Sequence, residues 1–460
     1  MITSPVFKGK RYAVLGLARS GAAAAEALLA SGAEVVAWDR QDVAREPFEG
    51  RCRLIDPLEL DLTGFAGVVV SPGVPLNTHP IGPHVWQFGL PVIGDIELFA
   101  AARASLPPHK VIGITGTNGK STTTALTHHI LQTAGVPSVM GGNIGDPILG
   151  QEPLPEGGVY VLELSSFQID LTFTLDCDVA ALTNITPDHL DRYAGFAAYA
   201  ASKERLFQMQ QAGAALICDE DDATRAIADR LAAAGRAPLR VRTADLDAAG
   251  LAAGRSPSLA GPHNAQNAAV AVAICRQLRL TDAQIMEGLA TYRGLPHRME
   301  RVCDVGGVVY INDSKATNAA SAAPALAAFP PDPAINDGAP RIHWIVGGLP
   351  KEDGLGACAD HLGNVAAAYT VGEAGPMFAD LLDGKVKVER CELISEAVRR
   401  AADAARPGEV VLLSPACASY DQFRDYEKRG HHFRQMVGVI TGCETCVETG
   451  TGSASRSILP

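Results

Sequence analysis

The chain has 460 residues, 47% hydrophobic and 20% charged, too apolar for a disordered chain and long enough for three domains at roughly 150 residues each. Thirty-nine Lys and Arg against 51 Asp and Glu leave a formal net charge of −12. That balance disfavours nucleic acid or an anionic membrane as partner, although backbone N–H groups and a few lysines can still hold a small polyanion. Ten scattered cysteines fit the reduced thiols of a cytoplasmic protein, not a disulfide framework.

No segment reads as a signal peptide or membrane span. Met1–Lys10 runs straight into an apolar strand without a cleavage-site pattern. Residues 67–94 hold no Asp, Glu, Lys or Arg, but Pro72, Pro75, Pro80, Pro83 and Pro91 interrupt them, so they read as strand and loop.

Short β-branched runs alternate with Ala-rich helical stretches, the pattern of βαβ units and parallel sheets. The first unit is strand Arg11–Leu15, a glycine turn, helix Ala22–Ser31 and strand Glu34–Trp38. Its turn, Gly16-Leu-Ala-Arg-Ser-Gly21, resembles G-x-G-x-x-G with Ala18 in the middle, and Asp39 stands where a ribose-binding acid would. Alone, that suggests a nicotinamide enzyme or a site for any nucleotide diphosphate.

A second pattern starts at Lys110–Ile114, after the break Ser105–Pro108. The strand runs into Thr115-Gly-Thr-Asn-Gly-Lys-Ser-Thr122 and a helix over Ser121–Ala134. Small residues let N–H groups converge, a helix N-terminus adds positive potential, Lys120 adds a charge, and the Ser121 hydroxyl suits Mg²⁺. The strict G-x-x-x-x-G-K-[ST] spacing wants glycine at Ile114, so the loop is a variant phosphate loop or else a glycine-rich turn with a solvated lysine. Strand Val159–Leu164 then carries Glu163 on the face of Val159 and Val161. A carboxylate there either bonds backbone N–H groups at the sheet rim or meets a nucleotide-bound Mg²⁺. Strand Val179–Leu182 leads to a polar cluster containing Asp188, His189, Asp191 and Arg192, where His189 is structural, a metal ligand or a substrate contact. On the helix over Phe196–Gln210, Lys203 lies within the apolar stripe of Phe196, Tyr199, Leu206 and Phe207. It either snorkels to solvent or works in a buried site with altered charge.

A third part begins near Arg301. Strands Val308–Ile311, His343–Val346 and Val410–Leu413 each run into a polar loop. In a parallel sheet these loops bring Asp313, Lys315, Lys351 and Ser419 to one edge. The Gly442–Ser457 tail, rich in Gly, Thr and Ser, has no apolar period, and its Cys443–Cys446 pair reads as an accidental spacing or a metal or redox site.

Together, the runs Thr115–Thr122, Glu163-Leu-Ser-Ser-Phe-Gln168, Asn184–Arg192, Gly261-Pro-His-Asn-Ala-Gln-Asn267, His297-Arg-Met-Glu300 and Asn312-Asp-Ser-Lys-Ala-Thr-Asn318 resemble the Mur ligases, ATP-dependent amino-acid ligases of peptidoglycan precursor synthesis, in order and over nearly the whole chain. Ser414-Pro-Ala-Cys-Ala-Ser-Tyr-Asp-Gln-Phe423 with Gly347-Gly-Leu-Pro-Lys351 resembles the branch that adds D-glutamate, and Asp-Asn-Pro-Arg, expected of the diaminopimelate- or lysine-adding branch, is missing. The resemblance implies an α/β fold of three domains, each a mostly parallel sheet flanked by helices: a Rossmann-like domain over 1–94, a P-loop ATPase domain over 95–298 and a Rossmann-like domain over 299–460.

It also implies roles. Gly16, Arg19, Ser20, Gly21, Asp39, Ser71 and Gly73 would bind the UDP part of UDP-N-acetylmuramoyl-L-alanine, with Asn143 on its sugar-peptide part. Gly116, Thr117, Asn118, Gly119, Lys120, Ser121, Thr122, Asn264, Asn267, His297, Arg298 and Asp313 would serve ATP, some of them by holding the mobile third domain. Ser121, Glu163, His189 and a carbamylated Lys203 would hold Mg²⁺; Lys120, Lys203, His189 and Lys315 would be catalytic. Thr317, Lys351, Ser419 and Tyr426 would take D-glutamate. A cytoplasmic monomer serving cell-wall synthesis, cell shape and division is implied. Of the rivals, a nicotinamide dehydrogenase explains only Gly16–Asp39 and a P-loop module only Lys120, while another Mur ligase or a folylpolyglutamate-type ligase lacks an account of residues 414–423.

Overall fold

The computed structural model describes residues 1–248, 250, 257–259, 261–351 and 353–443. The described residues fall into two compact units, one drawn from 1–254 and 264–291, the other from 255–263 and 292–460. Of the tail, only residues up to Cys443 are described, so Cys446 of its CxxC lies outside them, as does Glu352.

The first unit holds two sheets. β1 (Arg11–Leu15), β2 (Glu34–Trp38), β3 (Arg53–Leu54), β4 (Gly67–Val70) and β5 (Val92–Ile93) pair in the order β3-β2-β1-β4-β5, all parallel. β6 (His109–Thr115), β7 (Ser138–Gly142), β8 (Gly158–Glu163), β9 (Val179–Leu182), β10 (Ala214–Cys218) and β11 (Leu239–Val241) pair as β11-β10-β9-β6-β8-β7, again all parallel. β4, β8 and β9 are buried at every residue, and β1 and β6 at all but their first one or two. Helices therefore cover both faces, and only the strand ends offer polar loops. Strand order reverses around β1 in one sheet and β6 in the other, the place where open parallel sheets take ligands.

The second unit holds β12 (Glu300–Val305), β13 (Val308–Asn312), β14 (Ile342–Gly347), β15 (Val365–Val371), β16 (Lys387–Glu392) and β17 (Val410–Leu413) in the order β12-β13-β17-β14-β15-β16. β12 is antiparallel to β13 and all other pairings are parallel. The loops after β13, β17 and β14 therefore leave one edge side by side.

One sequence expectation needs correction. The stretch 67–94 is not strand and loop alone: Ile81–Trp86 is a short helix. Pro83 sits in its first turn, where the missing N–H has no intrahelical acceptor to lose. Among the described residues no disulfide joins any two of the nine cysteines. Among the described residues no helix is long and apolar enough to cross a membrane.

Candidate active site

The loop after β6 is shaped by close approaches. A Cβ on Gly116 would sit 1.9 Å from Thr183 Oγ1, and one on Gly119, at φ 81°, would sit 2.0 Å from Asn267 Oδ1. Only glycine fits either place. The Thr117 and Asn118 N–H groups donate to the Asn184 backbone oxygen (2.8 Å) and Oδ1 (2.9 Å). The helix Lys120–Thr133 then begins with no side-chain cap hydrogen bond, and Ser121 is buried in its first turn. Such an N-terminus after a glycine loop suits a phosphate. Lys120 Nζ folds over the loop and donates to the carbonyls of Gly116 (3.0 Å) and Thr117 (2.8 Å).

Lys203 does not snorkel. Its residue is 1% exposed, and Nζ donates to the same Gly116 carbonyl at 2.8 Å. Nζ also lies 4.6 Å from the centroid of the Tyr199 ring, whose hydroxyl meets Thr117 Oγ1 at 3.1 Å. Among the described residues Lys203 has no ion-pair partner within 4.0 Å. Burial first, and the Lys120 charge second, pull its pKa down to about 7.

Glu163 ends β8 and is 1% exposed. Its Oε1 accepts from Asn143 Nδ2 at 2.9 Å, while Oε2 is buried with no hydrogen-bond partner among the described residues. A buried carboxylate oxygen left in that state is costly unless a cation completes it. The residue thus fits a Mg²⁺ ligand. Among the described residues no three His, Cys, Asp or Glu side chains form a ready-made metal cluster. A hard cation would therefore need oxygens from elsewhere, such as nucleotide phosphates. His189 is exposed, at φ 52°, with Nε2 3.5 Å from Asp188 and its ring 5.0 Å from that of Phe167. Phe167 also stacks on Tyr193 at 6.0 Å and carries the Arg192 guanidinium at 4.2 Å. Beside them, a groove of about 320 Å³ is lined by Pro72, Val74, Asn77, Asp170, Arg192 and Tyr193.

In the first sheet, Gly16 at φ 86° lies against Ser71, whose Oγ donates to the Gly16 carbonyl at 2.8 Å. A Cβ on Gly21 would sit 1.8 Å from that carbonyl. Both Asp39 oxygens face backbone donors, Leu17 N–H at 2.7 Å and Gln41 N–H at 2.9 Å, so here the carboxylate orders the turn. The exposed Arg19 donates to the Gly145 carbonyl at 2.5 Å. Ser20 lies in the first turn of the helix Arg19–Ala30, and Gly73 has open space about its Cα. Asn264 and Asn267 lie on the helix Pro262–Gln277, with Asn267 Nδ2 donating to Asn264 Oδ1 at 3.3 Å.

The second unit brings its expected residues together in two pairs. Lys351 Nζ meets Thr317 Oγ1 at 3.4 Å, and Lys315 Nζ lies 5.0 Å over the Tyr426 ring. Ser419 is 2% exposed and begins the turn that leads to Phe423. Asp313 is buried and accepts from Ser414 Oγ (2.8 Å) and Met299 N–H (3.1 Å), and burial pushes its pKa up to about 7. Arg298 N–H donates to the Leu295 carbonyl at 3.1 Å, closing the turn before β12.

His297 is buried beneath these loops. Asn312 Nδ2 donates to its Nδ1 at 3.0 Å and to Glu300 Oε2 at 2.8 Å, so the ring is neutral with Nδ1 as acceptor. Burial, with the nearby His431, Arg434 and Lys315, lowers its pKa to about 4. The unfolded chain binds that proton at an ordinary histidine pKa, so stability held above pH 6.5 falls as pH drops from 6.5 toward 4. We expect this histidine to contribute about 2–3 kcal/mol of the acid sensitivity, its share of the slope absent in His297→Asn, as read by urea unfolding at pH 7, 6, 5 and 4.

Arg429 escaped the sequence reading. It is 2% exposed and ties three segments together, from Nε to Ser314 Oγ (3.0 Å), Nη1 to the Ala418 carbonyl (3.1 Å) and Nη2 to the Ser314 and Cys417 carbonyls (2.8 and 3.0 Å). Its one signal was position: it stands on the helix Tyr426–Thr441 between the buried Gly430 and the capping residue Asp425.

Comparison with known proteins adds to this geometry. The Mur ligase middle domain matches residues 114–275, and the Mur ligase glutamate ligase domain matches residues 297–417. The chain is 61% identical to a UDP-N-acetylmuramoylalanine–D-glutamate ligase of Novosphingobium aromaticivorans, covering 96% of this chain and 97% of that one. Proteins of the same name from Sphingopyxis alaskensis and Zymomonas mobilis are 59% and 51% identical, each over 96% of this chain and all of the other. Among solved structures, the UDP-N-acetylmuramate-alanine ligase of Thermotoga maritima superposes with a TM-score of 0.56 at 16% identity, over 94% of this chain and 99% of that one. A MurF ligase of the same organism, in complex with ADP, gives 0.57 at 14% identity over 95% of both chains. These two likenesses concern the fold.

Proposed function

The chain belongs to the Mur ligase family, and from that membership we propose that it joins D-glutamate to UDP-N-acetylmuramoyl-L-alanine at the expense of ATP. The observation that carries this reading is identity of 51–61% over nearly the whole length of relatives bearing that activity in their names. The three-part division over 1–94, 95–298 and 299–460 is kept as the functional one: nucleotide-sugar, ATP and amino acid in turn. ATP and a nucleotide-linked sugar as substrates support a cytoplasmic reaction, and we take the chain as a monomer.

The alanyl carboxylate oxygen attacks the γ-phosphorus of ATP, the bond to ADP breaks, and an acyl phosphate forms. The amine of D-glutamate then attacks the acyl carbon, loses a proton, and expels inorganic phosphate as the amide forms. Activation is needed because a carboxylate oxygen is a poor leaving group and phosphate a good one. Lys120 would leave its two loop carbonyls to meet the phosphates, adding charge where it develops in transfer. Glu163 and Ser121 would hold Mg²⁺ with Lys203 as carbamate, and His189 a second ion or the substrate. Bound there, Mg²⁺ would neutralise phosphoryl charge. The groove beside Phe167 and Arg192 is offered for the sugar-peptide, with Asn143 near it in role, and the Ser71 and Gly16 turns for the UDP part. Phosphate release from ATP with UDP-N-acetylmuramoyl-L-alanine tests the whole. We expect D-glutamate to support it and L-glutamate, L-alanine and diaminopimelate not to; equal release with any of these would reassign the amino acid.

A dicarboxylic amino acid needs cationic and hydroxyl partners, which a net-negative chain must supply locally. Lys351, Thr317, Ser419 and Tyr426 are proposed for that part, with Lys351 already against Thr317. Lys351→Ala is expected to raise the KM for D-glutamate roughly 10–150-fold, the worth of one charge-assisted contact, and to leave the KM for ATP near its starting value. Steady-state kinetics in which the ATP constant moved instead would misplace the pocket.

A further inference from the structure

The hydrogen bonds around Asn118 continue through side-chain amides to a carboxylate that determines their direction. Ionised Glu220 can only accept; the Thr243 N–H donates to its Oε1 at 2.6 Å and Gln266 Nε2 to its Oε2 at 3.0 Å. With its NH₂ turned to Glu220, Gln266 presents its carbonyl to Asn184, whose Nδ2 donates to it at 3.1 Å. Asn184 then faces the loop with Oδ1, which accepts from the Asn118 N–H at 2.9 Å, while Nδ2 also donates to the Asn118 carbonyl at 3.1 Å. An amide is nearly symmetric in shape, so a flipped Asn184 would fill the same space and set its NH₂ against the Asn118 N–H, donor against donor. Gly119 follows directly in the left-handed region, where a shifted Asn118 would move the start of the helix Lys120–Thr133.

We propose that Glu220 and Gln266 are positioning residues of the nucleotide loop: they fix which way Asn184 faces, and through it the backbone of residues 117–119 that receives the triphosphate. Neither touches the nucleotide. Glu220 retains its charge because the Thr243 and Gln266 donors outweigh a burial that alone would raise its pKa. The inference rests on the phosphate-loop reading given above.

A pair of substitutions separates direction from mere contact. Glu220→Gln keeps its carbonyl on the Thr243 N–H and so turns its NH₂ to Gln266, donor against donor, which reverses the direction. Gln266→Glu sets two carboxylates face to face. In the double variant Glu220→Gln/Gln266→Glu, the new amide keeps its carbonyl on Thr243 N–H and turns its NH₂ to the new carboxylate, which also accepts from Asn184 Nδ2. Asn184 is then oriented as before. Each single variant is expected to raise the KM for ATP roughly 3–10-fold, the worth of about one hydrogen bond, with kcat and the KM for D-glutamate unmoved. The thermal midpoint without nucleotide should also hold, and the double variant should return the ATP constant to within about twofold of the parent. Unchanged ATP constants in the single variants, a double variant that stays impaired, or a uniform loss with a lowered midpoint would each overturn the proposal. A parent protein that releases no phosphate from ATP with its substrates would instead overturn the reading beneath it.

Discussion

Lys120→Ala is expected to lower the rate of phosphate release by about 10²–10³-fold, the usual cost of removing one preorganised charge partner from a transition state, while the protein stays folded. Lys120 is half-buried, its Nζ rests on two loop carbonyls, and it lies at the end of the loop and not in the sheet core. The loop's shape depends on other contacts: Thr117 and Asn118 on Asn184, Gly116 against Thr183 and Gly119 against Asn267. Circular dichroism and the thermal midpoint should therefore match the parent, and the loss should appear in turnover. Unchanged phosphate release by a folded Lys120→Ala protein would remove the loop from the chemistry.

The strands were legible because buried parallel strands need unbroken runs of β-branched and apolar residues. Arg11–Leu15, Val179–Leu182 and Val410–Leu413 coincide with β1, β9 and β17. The polar loops at their ends were legible for the complementary reason, since they are where a buried sheet surfaces. The helix Ile81–Trp86 was not, because Pro83 breaks a helix interior but suits a first turn, and the sequence does not say which it occupies. Asp39 shows another limit. A carboxylate after β2 reads as a ribose ligand, and the sequence does not show that its oxygens also accept from the N–H groups of Leu17 and Gln41, one of them 22 residues away in the chain. Arg429 shows the same limit from the other side: an arginine in a polar helix looks solvated until two loops from distant parts of the chain, at Ser314 and at Cys417–Ala418, close over it. Period reports the face of a helix and leaves depth open, so Lys203 stood between two accounts until its burial excluded one.

That burial makes Lys203 the sharper test. Two amino groups, Lys120 and Lys203, donate to one carbonyl oxygen, that of Gly116, and burial disfavours the charged form of the second. With no ion-pair partner among the described residues and the orphaned Glu163 oxygen on the neighbouring strand, the site has reason to hold an anion where Lys203 ends and a cation between the carboxylates. Addition of carbon dioxide to the neutral Nζ, with loss of a proton, would make that anion. Lys203→Ala is therefore expected to lose about 10²–10³-fold in activity, as for any lost partner of transferred charge. Acetate, formate or bicarbonate should restore part of it, because a small carboxylate can enter the space left by the side chain and carry the same charge. Alanine in place of a buried lysine leaves a cavity, so the thermal midpoint must be followed alongside. Lys203→Met, which fills the space without the amine, serves as control and should be as inactive but not rescued. Full activity of Lys203→Ala, or rescue of both variants alike, would show that the buried amine serves packing and not the anion.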